Sequence, residues 1–176
     1  MTVFFVVACV VNKPHGYFPL LVLGPSLLLA EVGVQLVVTS SLSICGIRLP
    51  FRFGSVAKGE PWRPAVYFIW EDVTAVDGGG GAAFRAQLDA RYCASPPFRA
   101  MCRDLGFVLG FGAIALLGIE IGVTFSGANE DVIYGASMAI AVTWAGIGAM
   151  VTICYARCAL SREHRWWSQN MSKETL

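Results

Sequence analysis

Two acidic residues, Glu31 and Glu120, lie in stretches of the chain that are otherwise apolar enough to cross a bilayer. A carboxylate at that depth costs about 3 kcal/mol or more, so it usually faces a partner helix or a cavity. Two interpretations stay open. Each acid is either a neutral, hydrogen-bonded contact between helices, with hydroxyl or indole groups such as Thr143 and Trp144 as partners, or an acid or base for a lipophilic substrate.

A second acidic group, Glu71, Asp72 and Asp77, comes directly before a run of four glycines. These carboxylates are further candidates for acid–base chemistry, and with water they form a candidate site for a divalent cation. The simpler interpretation is a solvated helix face.

The glycine run itself, Gly78, Gly79, Gly80 and Gly81, predicts a helix end and a flexible joint. The alternative is a backbone nest that binds a phosphate group. The arginines that can assist such a nest are Arg63, Arg85 and Arg91. Asp77 disfavours an anion at this place, and no Lys-Ser or Lys-Thr pair follows as in a P-loop.

The elements that carry these residues are long apolar segments. Hydrophobic residues make up 56% of the 176-residue chain and charged residues 14%, whereas soluble domains carry about 25% charged residues. Residues 17–44, 105–125 and 132–155 each have the length that a bilayer demands. We therefore predict an all-α integral membrane protein with three transmembrane helices in a single membrane domain, 1–176. Residues 3–11 suggest a truncated fourth helix at the N-terminus.

Charge counted by position predicts the orientation. Residues 46–104 hold eight Lys and Arg, the tail at 156–176 holds four, and the connection at 126–131 holds none. By the positive-inside bias, the segment 46–104 and the tail are cytoplasmic. Since thiols on that side stay reduced, no disulfide framework is expected.

Small residues recur at helical spacing in the second and third spans. Side chains four residues apart share a helix face, and small ones let two backbones approach closely. The pattern predicts that the second and third spans pack as an antiparallel hairpin through Gly106, Gly110, Gly118 and Gly122 on one side and Ala141, Ala145 and Ala149 on the other. In the first span, Pro25 predicts a kink.

The segment between the first two spans is punctuated by Pro and Gly, and it predicts two short helices. One begins after Pro64 and runs to Asp77, and the next covers residues 82–92. Ser95 followed by Pro96 then predicts an N-cap whose helix continues without a break into the second span.

Several pieces of this middle segment together resemble a group of small, uncharacterised multi-pass membrane proteins of filamentous fungi. The pieces are Arg63-Pro64-Ala65-Val66-Tyr67, Glu71-Asp72-Val73, the run from Ala75 to Gly81, Arg91-Tyr92 and Ala94-Ser95-Pro96. The resemblance implies a helical membrane protein with a eukaryotic membrane address, for which the endoplasmic reticulum or another endomembrane is favoured over the plasma membrane. It implies no catalytic residues.

These patterns favour a membrane scaffold or accessory protein whose cytoplasmic helices bind a partner or lipid. The alternative is a membrane-embedded enzyme that uses carboxylate acid–base chemistry on a lipophilic metabolite. No motif predicts a cofactor or a metal site. The expected partners are the lipid bilayer and a protein or second copy of the chain. A net charge of +1 without a basic stripe gives no reason to expect nucleic acid.

Overall fold

The computed structural model describes residues 18–174, and within that range the secondary structure is helical, without a strand. There are five α-helices: α1 Phe18–Ile44, α2 Ala65–Asp72, α3 Gly81–Ala94, α4 Pro96–Thr124 and α5 Glu130–Glu174. A π-helical turn, Val73–Asp77, extends α2. Three helices, α1, α4 and α5, are long and apolar enough to cross a membrane. This confirms the predicted helical class and the three apolar helices. The predicted N-terminal fragment of a fourth lies outside the described residues.

The helix starts follow the local sequence. Ser95 caps α4, because its Oγ accepts a hydrogen bond of 3.3 Å from the Phe98 N–H, and Pro96 occupies the first helical position. From this cap α4 runs without a break into the apolar segment, as predicted. Helix α5 has 45 residues, which corresponds to about 68 Å. The segment predicted as a tail after residue 155 is therefore helical through Glu174.

The chain divides into two compact units. The first, which we call the span unit, comprises residues 18–35 and 109–149 of the described chain. The second, the cap unit, comprises residues 36–108 and 150–174.

The span unit is held by close helix contacts at glycines. A Cβ atom added to Gly33 of α1 would lie 2.8 Å from both the Gly110 carbonyl oxygen and the Ala113 Cβ of α4. A Cβ added to Gly112 would collide with the indole of Trp144 on α5. Helix α4 thus meets α1 through one small-residue face and α5 through another.

These contacts correct the predicted glycine face. Gly110 contacts Gly33 of α1, and Gly106, in the cap unit, lies against Ser40 of α1. Cβ atoms added to Gly118 and Gly122 would meet nothing within 4 Å, so the prediction of close helix contacts there is wrong for contacts among residues 18–174. On α5, residues Ala145 and Ala149 are exposed and Ala141 is half-buried. Spacing reveals which side chains share a face, but not which helix covers it.

The cap unit is built on a cluster of aromatic and aliphatic side chains. Its fully or nearly fully buried members come from the connecting loop, α2, α3, α4 and α5: Leu49, Val56, Tyr67, Phe68, Leu88, Tyr92, Phe98, Met101, Cys102, Leu105 and Ala159. The Ala65 N–H donates a 3.0 Å hydrogen bond to Thr39 Oγ1, which ties the start of α2 to α1. Helices were predicted in this segment, and α2 with its π turn and α3 are those helices.

Candidate functional site

A cavity of about 410 Å³ in the cap unit is lined by three arginines, Arg63, Arg99 and Arg103. Glu60 is the one carboxylate among the described lining residues. Ser43, Trp62 and Tyr92 supply a hydroxyl, an indole and a phenol. The formal charge of the lining is therefore positive. A volume of this size lies within the range of small-ligand pockets, about 300–1,000 Å³.

Arg63 is the most buried of the three arginines, with 5% of its surface exposed. Its guanidinium lies 4.7 Å from the centroid of the Tyr67 ring and 4.9 Å from that of Tyr92. Its Nη2 pairs with Asp89 Oδ1 at 2.5 Å, while its buried Nη1 has no hydrogen-bond partner. The planar cation is thus held by two rings and one carboxylate, and it retains a donor for a further acceptor.

The electrostatic environment keeps the guanidinium of Arg63 charged and the phenols of Tyr67 and Tyr92 neutral. Burial raises the pKa of both Tyr67 and Tyr92 above the ordinary value of 10.0, so the phenols stay neutral at physiological pH. Burial by itself would lower the pKa of Arg63. The hydrogen bond to Asp89, together with the electrostatic attraction of Asp89 and of Tyr67, outweighs burial, and the pKa is raised.

Local sequence accounts for how each arginine is positioned. Arg63 precedes Pro64, the residue before α2, so the fixed start of that helix determines where its side chain begins. Arg99 and Arg103 lie four residues apart in the first turns of α4 and therefore share one helix face. The cavity brings these two positions together with Arg63.

The other two predicted arginines are used inside the cap unit. Arg85 Nη2 pairs with Asp72 Oδ1 at 3.3 Å. Arg91 Nε donates a 3.0 Å hydrogen bond to Glu163 Oε1, and its Nη2 donates to Glu163 Oε2. Neither arginine is among the residues that line the cavity.

The geometry of the glycine run does not favour the alternative of a phosphate nest. The amides of Gly78, Gly79 and Gly80 donate to the carbonyl oxygens of Val73, Val76 and Thr74 at 3.0, 3.4 and 3.2 Å respectively. Gly79 and Gly81 have φ values of +68° and +55°, which L side chains rarely adopt. The amides therefore close the π turn and are not available to an anion, so the run is the helix end and joint of the simpler interpretation.

The acidic candidates of the cap unit differ in exposure. Glu71 is 1% exposed and its Oε1 lies 3.9 Å from Arg85 Nε, whereas Asp72 and Asp77 are exposed. Within residues 18–174 no group of three acidic, His or Cys side chains is placed to hold a metal ion. Burial of Glu71 was not predicted, because the sequence assigned Glu71 to a solvated helix face together with Asp72.

The two acids of the apolar helices also differ. Glu31 is half-buried and has an interaction partner. Glu120 is 1% exposed, and among the described residues neither carboxyl oxygen has a hydrogen-bond partner. It lines a cavity of about 20 Å³ together with Ser137. Neither Thr143 nor Trp144 is among the lining residues.

Sequence reasoning missed that Arg99 and Arg103 line the cavity and that Glu163 pairs with Arg91. The i, i+4 spacing of Arg99 and Arg103 directly before an apolar span was a usable signal, but it was read only as a topology marker. Glu163 lies 72 residues from Arg91, and no local pattern connects positions so far apart.

The comparison with known proteins gives a family. A family model described as a domain of unknown function, DUF8766, matches residues 1–167. No curated protein matches the chain, and no solved structure matches it.

Proposed function

The chain belongs to the DUF8766 family of domains of unknown function, and we propose that it is an integral membrane protein whose cap unit binds the phosphate-bearing headgroup of an anionic lipid. The observation that carries this proposal is the cavity lined by Arg63, Arg99 and Arg103. A scaffold or accessory role follows, in which lipid binding orders the cap unit or places the protein in a membrane of suitable composition.

The charges of the cavity support a phosphate ligand. Guanidinium groups bind phosphate oxygens through paired, charge-assisted hydrogen bonds. Arg63 is already fixed by Tyr67, Tyr92 and Asp89, so little side-chain freedom is lost when its free Nη1 donates to a ligand. A prearranged cation of this kind favours binding because the ordering cost is small.

The position of the arginines along the chain supports a lipid as the source of that phosphate. Arg103 comes two residues before the apolar run of α4, and Ser43 lies near the end of the apolar helix α1. Basic residues at the ends of membrane spans lie at the depth of lipid headgroups and attract anionic lipids. A soluble anion would have no need of this placement.

The acid–base alternative lacks an observation of comparable weight. Asp72 and Asp77 are exposed, and Glu71 is buried beside Arg85. The endomembrane address and the fungal relationship stay predictions from the resemblance.

The test measures lipid binding to the full chain purified in neutral detergent. Vesicles of phosphatidylcholine with and without phosphatidic acid are compared, and soluble glycerol phosphate serves as the headgroup without a membrane anchor. We expect saturable binding that requires phosphatidic acid. Arg99→Gln and Arg103→Gln should each weaken it about tenfold or more, since a hydrogen bond to a charged group is worth about 1.5–3 kcal/mol.

Arg52→Gln is the matched control, because Arg52 is an exposed arginine of the cap unit that does not line the cavity. It should weaken binding less than about threefold, as expected for a screened surface charge. Equal losses in Arg52→Gln and Arg99→Gln would reveal diffuse attraction to the membrane and overturn the site. Tight binding of glycerol phosphate alone would identify a soluble ligand instead of a lipid.

A further inference from the structure

Glu120 is the buried polar group that the proposed lipid site does not use. It lies in the last turns of α4, four residues before Thr124, and is 1% exposed. Neither of its carboxyl oxygens has a hydrogen-bond partner, and the buried hydroxyls of Ser26, Thr124 and Ser137 in the same unit also lack one. An ionised carboxylate without partners is very costly to bury, so the group is either neutral or satisfied by an occupant of the cavity.

The chain segments of the span unit supply no positive side chain for this carboxylate. Residues 18–35 and 109–149 contain no Lys, Arg or His, and their other acidic residues are Glu31, Glu130 and Asp131. For an ionised Glu120, the compensating positive charge would have to come from outside these segments.

The cavity at Glu120 limits the size of such an occupant. Its volume is about 20 Å³, and Pro25, Glu120, Tyr134 and Ser137 are among the residues that line it. One water molecule needs about 10–15 Å³ on the same measure. A single guest of water size fits, such as a largely dehydrated Na⁺ or Li⁺ ion, whereas an organic cation does not.

The available ligand atoms are hard oxygens. Carboxylate and hydroxyl oxygens are typical ligands of hard cations, and a single carboxylate balances one positive charge, whereas Ca²⁺ and Mg²⁺ sites usually combine several charged ligands. Pro25 has no N–H, so the carbonyl oxygen of Leu21 receives no helical hydrogen bond from that position. Carbonyl oxygens released by helix interruptions coordinate Na⁺ in membrane transporters.

We propose that the span unit holds one small monovalent cation of the Na⁺ class at Glu120, with Ser137 as a second ligand. The site is separate from the arginine cavity of the cap unit, and it stands whether or not that cavity binds lipid.

The test is thermal unfolding of the full chain in neutral detergent at constant ionic strength, with NaCl replaced stepwise by choline chloride. We expect the Tm to rise saturably with Na⁺, because a ligand of the folded state stabilises it by mass action. Glu120→Gln should abolish the rise. Glu130→Gln is the matched control, since Glu130 is an exposed glutamate at the start of α5 and should leave the rise unchanged.

Three outcomes would overturn the proposal. The first is that choline chloride stabilises the protein as well as NaCl does, and the second is that Glu120→Gln retains the Na⁺ effect. The third is that acidification without Na⁺ gives the full stabilisation and Glu120→Gln mimics it, because a proton would then be the occupant. If Glu120→Gln fails to fold, Ser137→Ala decides the matter. We expect Ser137→Ala to raise the half-saturating Na⁺ concentration about tenfold, the effect of about 1.4 kcal/mol, and an unchanged value contradicts the site.

Discussion

The cap unit and the span unit differ in whether a buried ionisable side chain has an oppositely charged partner. In the cap unit, the buried charges Arg63, Glu71 and Glu163 each lie no more than 3.9 Å from an opposite charge. In the span unit, Glu120 is buried as deeply, and no ion pair is found for it among the described residues. The cap unit therefore compensates its buried charges internally, whereas the described part of the span unit offers Glu120 no such ion pair.

The two units also pack differently. In the span unit, helices come together at glycines. Gly33 lies against the backbone of Gly110, and the ring of Trp144 packs against Gly112, which has no side chain. The cap unit instead packs aromatic rings edge to face, as Tyr67 does against Phe68 and Tyr92 at centroid distances of 5.4 and 4.9 Å. Added volume should damage the span unit, and lost polar or aromatic contacts should damage the cap unit.

The largest expected effect is that of Gly33→Leu in the span unit. The new side chain would start 2.8 Å from the Gly110 carbonyl and the Ala113 Cβ, so α1 and α4 must separate. We expect a loss of about 3 kcal/mol or more, at the upper end of overpacking effects, measured as detergent thermal stability. Gly118→Leu is the control, since that position is open, and its stability should change by less than about 0.5 kcal/mol. Equal losses would mean that the glycine contact does not hold the unit.

The next effect is that of Glu163→Gln in the cap unit. It removes the charge that Arg91 binds with two hydrogen bonds, and we expect a loss of about 2 kcal/mol. Asp72→Asn is the matched control, because it breaks the exposed pair with Arg85 and should cost less than about 1 kcal/mol. A double-mutant cycle with Arg91→Gln measures the coupling directly, and a coupling near zero would contradict the role assigned to this pair.

A pair of serines compares the two units at the same burial. Ser95 is buried with its Oγ accepting the Phe98 N–H, whereas Ser26 is buried with its Oγ unpartnered. Ser95→Ala should cost about 1 kcal/mol as a lost helix cap. Ser26→Ala should be neutral or stabilising, since it removes a polar atom that has no partner. Thermal unfolding of both variants tests this, and the reverse order of stabilities would refute the comparison.

The smallest effect is an alkaline one confined to the cap unit. Burial raises the pKa of Tyr67 and Tyr92 above their ordinary value of 10.0. The neutral phenols therefore contribute stability that is fully present below that value and is lost as the pH rises through the folded-state pKa. Unfolding measured across this range should show the decline, and Tyr92→Phe should reduce it. A decline of the same size in Tyr92→Phe would assign it to other groups.

Much of the architecture was predictable because its determinants are local. The length of an apolar run, the Pro that follows Ser95 and the glycines after Asp77 each act within a few residues of themselves, and the helix bounds follow them closely. The continuation of α5 to Glu174 was not predicted. The sequence after residue 155 is charged and has no apolar face, so it carries little signal for a helix.

The candidate sites could be predicted only in part. Arg63, a candidate for anion binding, lines the cavity, but the arginines grouped with it, Arg85 and Arg91, are paired elsewhere. Glu120 was recognised because a carboxylate in an apolar segment is conspicuous in any sequence. That it lines a cavity with Ser137 could not be read from either helix alone.

By itself, then, the sequence determined the helical class, the three apolar helices and the position of every charge along them, because hydrophobic period, capping and proline act through neighbouring residues. Only the tertiary structure decided which helix covers Gly33 and Gly110, which arginines meet in one cavity and which acid is left without a partner. Those outcomes depend on contacts between segments far apart in the chain, such as Arg91 and Glu163. Such contacts are selected by the packing of whole helix faces and not by local sequence.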